Sequence, residues 1–225
     1  IDLSTSVMTQ GAKLSQWWKV GRKIVAIGRN YRDHAKEMNS PVPTEPFWFL
    51  KPTTSYLPSG GTIKIPEGAA DIHHEVELGV IIGSTASKVS QANAMQHVAG
   101  YCLAFDMTAR SWQSAAKKKG LPWTAAKGFD TSCPHGAFIP ADKVKDVNAL
   151  TLWCAVNGDN RQRGTTADMI FDIPTLISTV SKIHTLEEGD LLLTGTPEGV
   201  GPVVAGDTLS GGIEELNVQI EFEVE

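Results

Sequence analysis

Cysteine is scarce in this 225-residue chain: three residues, Cys102, Cys133 and Cys154. Their number is odd, they are widely spaced, and no Cys-x-x-Cys pair occurs. This excludes a disulfide framework and a zinc-knuckle signature. Reduced, mostly buried thiols in a reducing compartment are expected. Clustered positive charge is also scarce. The net charge is −5 and the one basic run is Lys117-Lys118-Lys119, which reads as a solvated helix face. Nucleic acid, which demands a basic face, is therefore not an expected partner. No apolar run approaches the about 20 residues that span a bilayer, so no membrane association is expected. The first ten residues lack a basic segment followed by an apolar one and do not read as an intact signal peptide. They begin with Ile1, which fits either a processed presequence or a trimmed terminus. Internal repeats and low-complexity linkers are absent. What remains, with 41% hydrophobic and 20% charged residues, is an ordinary globular composition of single-domain length.

Short apolar runs dominate. Residues 23–28, 47–50, 62–65, 74–83, 100–107, 134–139, 150–156, 190–194 and 216–224 read as strands. Asn157-Gly158 carries a type I′ turn signal, so 150–156 and 161–166 are expected to form a hairpin. Helices are expected within 30–38, stopped by the breaker cluster from Ser40, within 90–97, from a Thr108 cap to Gly120, and over 173–183 with Pro174 in the first turn. Strands outnumber helices and do not alternate regularly with them, which predicts an α+β, mainly β fold.

Two carboxylates in His74-Glu75-Val76-Glu77 lie two apart on an expected strand, where side chains share a face. Their neighbours are apolar, so the pair calls for a neutralising partner such as a divalent cation. The spacing by itself equally describes a wet strand face. Asp106 ends another apolar strand; it either completes an oxygen-only site suited to Mg²⁺, Mn²⁺ or Ca²⁺ or helps to start the next helix. His34 and Glu37, at i and i+3 on a helix, form a general-base pair or an inconsequential surface pair. Lys127 is a candidate for stabilising an anion or a snorkelling surface lysine. The loop from Thr194 to Gly199 (TGTPEG) offers backbone N–H groups and the Thr196 hydroxyl to a carboxylate, or is a plain tight turn.

Six segments in order, GRNYRDHAKE (28–37), FLKPTTSY (49–56), HHEVELGVIIG (73–83), DMTARSWQ (106–113), KKKGLPWTAAKGFDT (117–131) and LTGTPEGVGPV (193–203), resemble the fumarylacetoacetate hydrolase domain family. Within it, the short chain and the GLPWT-x-x-K stretch are most similar to the acylpyruvase and oxaloacetate decarboxylase branch. The resemblance implies a mixed β-sandwich roll with short helices, of the fumarylacetoacetate hydrolase C-terminal type. The catalytic domain would span 23–225 behind an N-terminal extension, 1–22, and form a homodimer. It further implies Glu75, Glu77 and Asp106 as ligands of Mg²⁺, with Mn²⁺ as the alternative. His34 and Glu37 become the water-activating dyad on a mobile lid, Gln113 and Lys127 catalytic partners, and Arg29, Gly195 and Thr196 substrate-binding residues. The implied activity is hydrolysis of acylpyruvates to pyruvate and a carboxylic acid, with oxaloacetate decarboxylation through the same pyruvate enolate. The substrate partner is then a small 2-oxo acid. A mitochondrial location is implied, with the cytosol as the alternative. Two rivals remain: an isomerase or hydratase of 2-oxo dienoates on the same metal site, and a non-catalytic metal-binding scaffold.

Overall fold

The two longest apolar runs pair with each other at the centre of the structure, a computed structural model that describes residues 14–39 and 41–225. Val76–Ile82 and Val98–Phe105 are antiparallel neighbours. The first is buried along its whole length and the second over its last six residues, as expected of strands covered on both faces. They belong to an eight-stranded mixed sheet. Its order is Phe47–Lys51, Ile24–Gly28, Leu191–Leu193, Val76–Ile82, Val98–Phe105, Cys133–His135 and Tyr56–Pro58, with Ile139–Pro140 also pairing to Val98–Phe105.

A second sheet of five strands runs Asp159–Thr165, Thr151–Val156, Thr208–Ile213, Val218–Val224 and Thr62–Ile63. Its first two strands are the expected hairpin, turned at Asn157 (φ 54°) and Gly158 (φ 83°). Val218–Val224 alternates buried and exposed positions, so one face is wet. A small third sheet joins Gly201–Val203, Ile72–His74 and Thr108–Ala109. The fold is thus α+β and mostly sheet, as the sequence predicts.

Several boundaries differ from expectation. The run 74–83 is split at Glu75, which lies between Ile72–His74 and Val76–Ile82. Thr108 does not cap a helix. It pairs in the third sheet, and the helix is Arg110–Lys119, closed by Gly120 in the left-handed conformation (φ 65°). The run 134–139 is two short strands separated by Gly136-Ala-Phe138. The other α-helices given for the described residues are Arg32–Glu37, Gln91–Ala94, Thr124–Lys127 and Ile173–Ser181. The last of these has Asp172 as a true cap, its carboxylate accepting the Thr175 N–H at 2.9 Å. Ser40 and residues 1–13 of the expected N-terminal extension lie outside the described residues. The remainder of that segment is anchored, since Leu14 and Trp17 are buried. All three cysteines are buried and free.

Strand parity divides the core into two clusters. Val76, Leu78, Val80 and Ile82 face the larger one with Phe105 and Phe222. Ile81, Cys102, Ala104 and Leu193 face the smaller one with Leu14 and Trp17. Glu77 has the parity of Ile81, and Asp106 has the parity of Cys102 and Ala104. The Asp106 N–H donates to the Glu75 carbonyl at 2.9 Å, which keeps Glu75 in register although it is outside the strand. All three acids therefore emerge from the smaller-cluster face of two paired strands.

His135 ends the strand next to this cluster and is almost fully buried. Its ring lies 4.8 Å from Trp17, 4.9 Å from Trp18 and 5.5 Å from Tyr56. Burial pushes its imidazole down to about 4. A depressed histidine stays neutral when folded but takes up a proton when unfolded. Its effect on stability is therefore nil above pH about 6.5 and grows as pH falls towards 4. Denaturant titrations should show wild type losing roughly 3 kcal/mol more than His135→Phe between pH 7 and pH 4; equal losses in the two proteins would contradict this account.

Candidate metal and active site

Glu75, Glu77 and Asp106 are all buried, and one oxygen from each lies within 4.8 Å of the others. Like charges at this spacing in an apolar interior demand compensation. Lys51 Nζ donates to Asp106 Oδ1 at 2.6 Å and also to the Lys127 carbonyl. Lys127 Nζ bridges Asp106 Oδ2 at 2.6 Å and Glu75 Oε2 at 2.8 Å. Arg110 Nη2 donates to Glu75 Oε1 at 2.6 Å, and the Thr108 hydroxyl donates to the same oxygen at 3.0 Å.

Compensation is uneven. Burial drives the Glu75 carboxyl upward, but Lys127, then Arg110 and His34, outweigh it and hold the group well below the usual carboxylate range. Glu77 has the Gly195 N–H at 2.7 Å and no ion pair among the described residues. Burial, followed by the charges of Asp106 and Glu75, pushes it well above its ordinary value. A positive charge beside Glu77 is what the arrangement lacks. Three converging carboxylates and no nitrogen or sulfur donor fit a hard divalent cation that keeps water ligands, rather than zinc. The triad can hold such an ion.

The expected dyad is formed. Helix Arg32–Glu37 sets His34 Nδ1 3.1 Å from Glu37 Oε2. The Gly199 N–H donates to Glu37 Oε1 at 3.1 Å, so the glycine-rich loop holds the carboxylate that orients the imidazole. With Nδ1–H given to Glu37, Nε2 retains its lone pair. His34 lines one cavity with the triad, Arg29, Gln113, Lys127 and Thr196.

The remaining expected residues also converge. Gln113 Oε1 accepts from Arg110 Nη1 at 2.9 Å, which leaves its amide N–H groups for a ligand. Arg29 follows Gly28 in the left-handed region (φ 51°), a costly place for any residue with a Cβ, and its guanidinium sits 4.8 Å over the Phe47 ring. Gly195 (φ 94°) must be glycine, because a Cβ there would meet Asn30 Cβ at 2.7 Å. The Thr196 hydroxyl is already committed, donating to the Val76 carbonyl and accepting from Gln162 Nε2, both at 2.8 Å.

Sequence reasoning missed Lys51, Arg110, Thr108 and Gln162. A lysine directly after the apolar run FWFL was the available signal for Lys51. Gln162 gave none: it is a buried residue on the second arm of the expected hairpin, and it accepts the Val76 N–H at 3.0 Å. The run Lys117–Lys119 is exposed throughout, as expected, and Lys117 in addition lines the cavity with its ammonium 4.9 Å over Trp123.

Mn²⁺ titrated to about 100 times its dissociation constant should stabilise the protein by about 2.7 kcal/mol. Glu77→Gln, which removes the uncompensated charge, should keep the fold and lose this response in a thermal-shift measurement. A Glu77→Gln protein that is still stabilised by Mn²⁺ would exclude the triad as the ion's site.

Residues 23–221 match the fumarylacetoacetate (FAA) hydrolase C-terminal family. The chain is 54% identical over 212 residues to a mitochondrial oxaloacetate decarboxylase of Dictyostelium discoideum, covering 94% of this chain and 97% of that one. It is 53% identical over 217 residues to a mitochondrial oxaloacetate tautomerase of Mus musculus, covering 96% and 98%. A Pseudomonas aeruginosa fumarylpyruvate hydrolase, solved in complex with Mn²⁺ and pyruvate, superposes with a TM-score of 0.86 at 34% identity, covering 91% of this chain and 89% of that one. With a match over most of its length and relatives at more than half identity, the chain belongs to the fumarylacetoacetate hydrolase C-terminal family of enzymes.

Proposed function

We propose that the chain is a mitochondrial, Mg²⁺- or Mn²⁺-dependent enzyme of small 2-oxo acids that hydrolyses acylpyruvates and decarboxylates oxaloacetate through one pyruvate enolate. The observation that carries this reading is the shared cavity: three buried carboxylates, an oriented imidazole and the Lys127 ammonium all line it. The names of the relatives, oxaloacetate decarboxylase, oxaloacetate tautomerase and fumarylpyruvate hydrolase, all describe reactions that pass through the enolate of a 2-oxo acid.

Glu75, Glu77 and Asp106 would hold a divalent cation, which would supply a Lewis acid to polarise the 2-oxo acid. His34 Nε2, with Nδ1 fixed by Glu37, takes a proton from water, and the resulting hydroxide adds to the C4 carbonyl of an acylpyruvate. The C3–C4 bond breaks, its electrons pass to the pyruvate enolate, and the acid departs. Lys127 stabilises that anion in this reading, and the Gln113 amide hydrogen-bonds the substrate or the water. With oxaloacetate the same bond breaks with loss of CO₂, and no water is needed. Tautomerisation is a second reading favoured by the relatives' names. It needs a proton exchanged only between C3 and the 2-oxygen, a step within reach of the same base.

Removing the base separates these reactions. His34→Ala should lower acetylpyruvate hydrolysis about 10²-fold while oxaloacetate decarboxylation falls by less than 10-fold. Steady-state assays of both substrates on wild type and variant check this, and equal losses would contradict a water-activating role for His34.

A further inference from the structure

The cavity contains more positive charge than its carboxylates use. Lys51, Lys127 and Arg110 are bonded to Asp106 and Glu75. Arg29 and Lys117 also line the cavity, yet neither has a carboxylate partner among the described residues. Lys117 sits on helix Arg110–Lys119 at i+4 from Gln113 and i+7 from Arg110. The three side chains therefore share one helix face, stepping outward from Glu75.

Each of the two spare cations lies over an aromatic ring, Arg29 half-buried and Lys117 exposed. Lys117 Nζ lies over Trp123 and the Arg29 guanidinium lies over Phe47. These rings touch edge to face, with centroids 6.2 Å apart, and Trp123 leans on Phe49 at 5.7 Å. Lysine normally keeps its ammonium in water, and a fixed cation over an aromatic face is positioned for an anion. Partial burial, followed by the charges of Arg110 and Arg29, lowers the Lys117 ammonium from its ordinary value. An anion bound beside it would relieve that repulsion.

We infer that Lys117 is a specificity-determining residue that binds the second carboxylate of a 2-oxo dicarboxylate, with Arg29 flanking it. This inference rests on the metal-and-2-oxo-acid reading of the site. A substrate anchored at the triad by its 1-carboxylate and 2-oxo group extends along the helix face towards Lys117. An acylpyruvate with an alkyl end gains nothing there, whereas a dicarboxylate gains a charge-assisted hydrogen bond. The kinetic consequence is specific. A cation on the departing carboxylate stabilises the bound substrate, and that charge is lost as CO₂ forms. Lys117 therefore strengthens capture without speeding bond cleavage.

The test compares wild type, Lys117→Met, which keeps the apolar stem, and Lys117→Arg. Malate and lactate are inert 2-hydroxy analogues with and without the second carboxylate. Calorimetry on Mn²⁺-loaded protein should show Lys117→Met weakening malate at least 10-fold, lactate unchanged within 2-fold, and Lys117→Arg retaining malate. In steady state, Lys117→Met should raise KM for oxaloacetate at least 10-fold without lowering kcat, because the lost contact is to a charge that disappears as CO₂ forms, and leave acetylpyruvate unaffected. Parallel weakening of malate and lactate, or no weakening of either, would overturn the inference. A wild-type protein that releases no pyruvate would refute the proposed reactions, and the malate–lactate comparison would still decide the role of Lys117.

Discussion

Three carboxylates are buried within 4.8 Å of one another, and the surroundings are organised to make that tolerable. Desolvating one carboxylate costs several kcal/mol, and mutual repulsion adds to it. The cations that offset this come from three separate elements: Lys51 from an edge strand, Arg110 from the first turn of a helix and Lys127 from the end of a short helix. None of them forms an ion pair with Glu77 among the described residues, although the Lys127 charge acts on it. Glu77 is therefore the one carboxylate of the three without an ion pair among the described residues, and a divalent ion held by the triad would supply positive charge there.

The fold supplies the convergence through pairing. Parity alone brings Glu77 and Asp106 to one face of neighbouring strands, and one backbone hydrogen bond keeps Glu75 level with Asp106. The loop after Leu191–Leu193 then closes the site from the side. Gly195 gives its N–H to Glu77, and Gly199 gives its N–H to Glu37. One glycine-rich segment thus ties the metal-binding acids to the base on helix Arg32–Glu37. The left-handed φ at both glycines permits this, so the loop is a structural coupling between the two halves of the site rather than a plain turn.

Much of this was legible in the sequence because it depends on local periodicity. The apolar runs, the Asn157-Gly158 hairpin and the helix stop at Gly120 are local signals, and each is found where local chemistry puts it. Glu75 and Thr108 were misread because tertiary pairing overrides local pattern there. A third strand recruits Thr108, and the strand before Glu75 joins a different sheet from the strand after it. The compensating cations were not legible, since Lys51 and Asp106 are 55 residues apart and nothing local distinguishes a buried lysine from a snorkelling one. Gln162 was hidden for the same reason, its partners His74, Val76 and Thr196 all being remote. The six ordered motifs carried the family assignment that periodicity could not.

The central claim is that the buried triad holds a divalent ion for chemistry on 2-oxo acids. Pyruvate release from oxaloacetate and from acetylpyruvate, measured with Mg²⁺ and again with excess EDTA, tests it most directly. The account predicts pyruvate from both substrates with Mg²⁺ and near-complete loss with EDTA. Release of no pyruvate from either substrate, by protein shown to carry the metal, would contradict it.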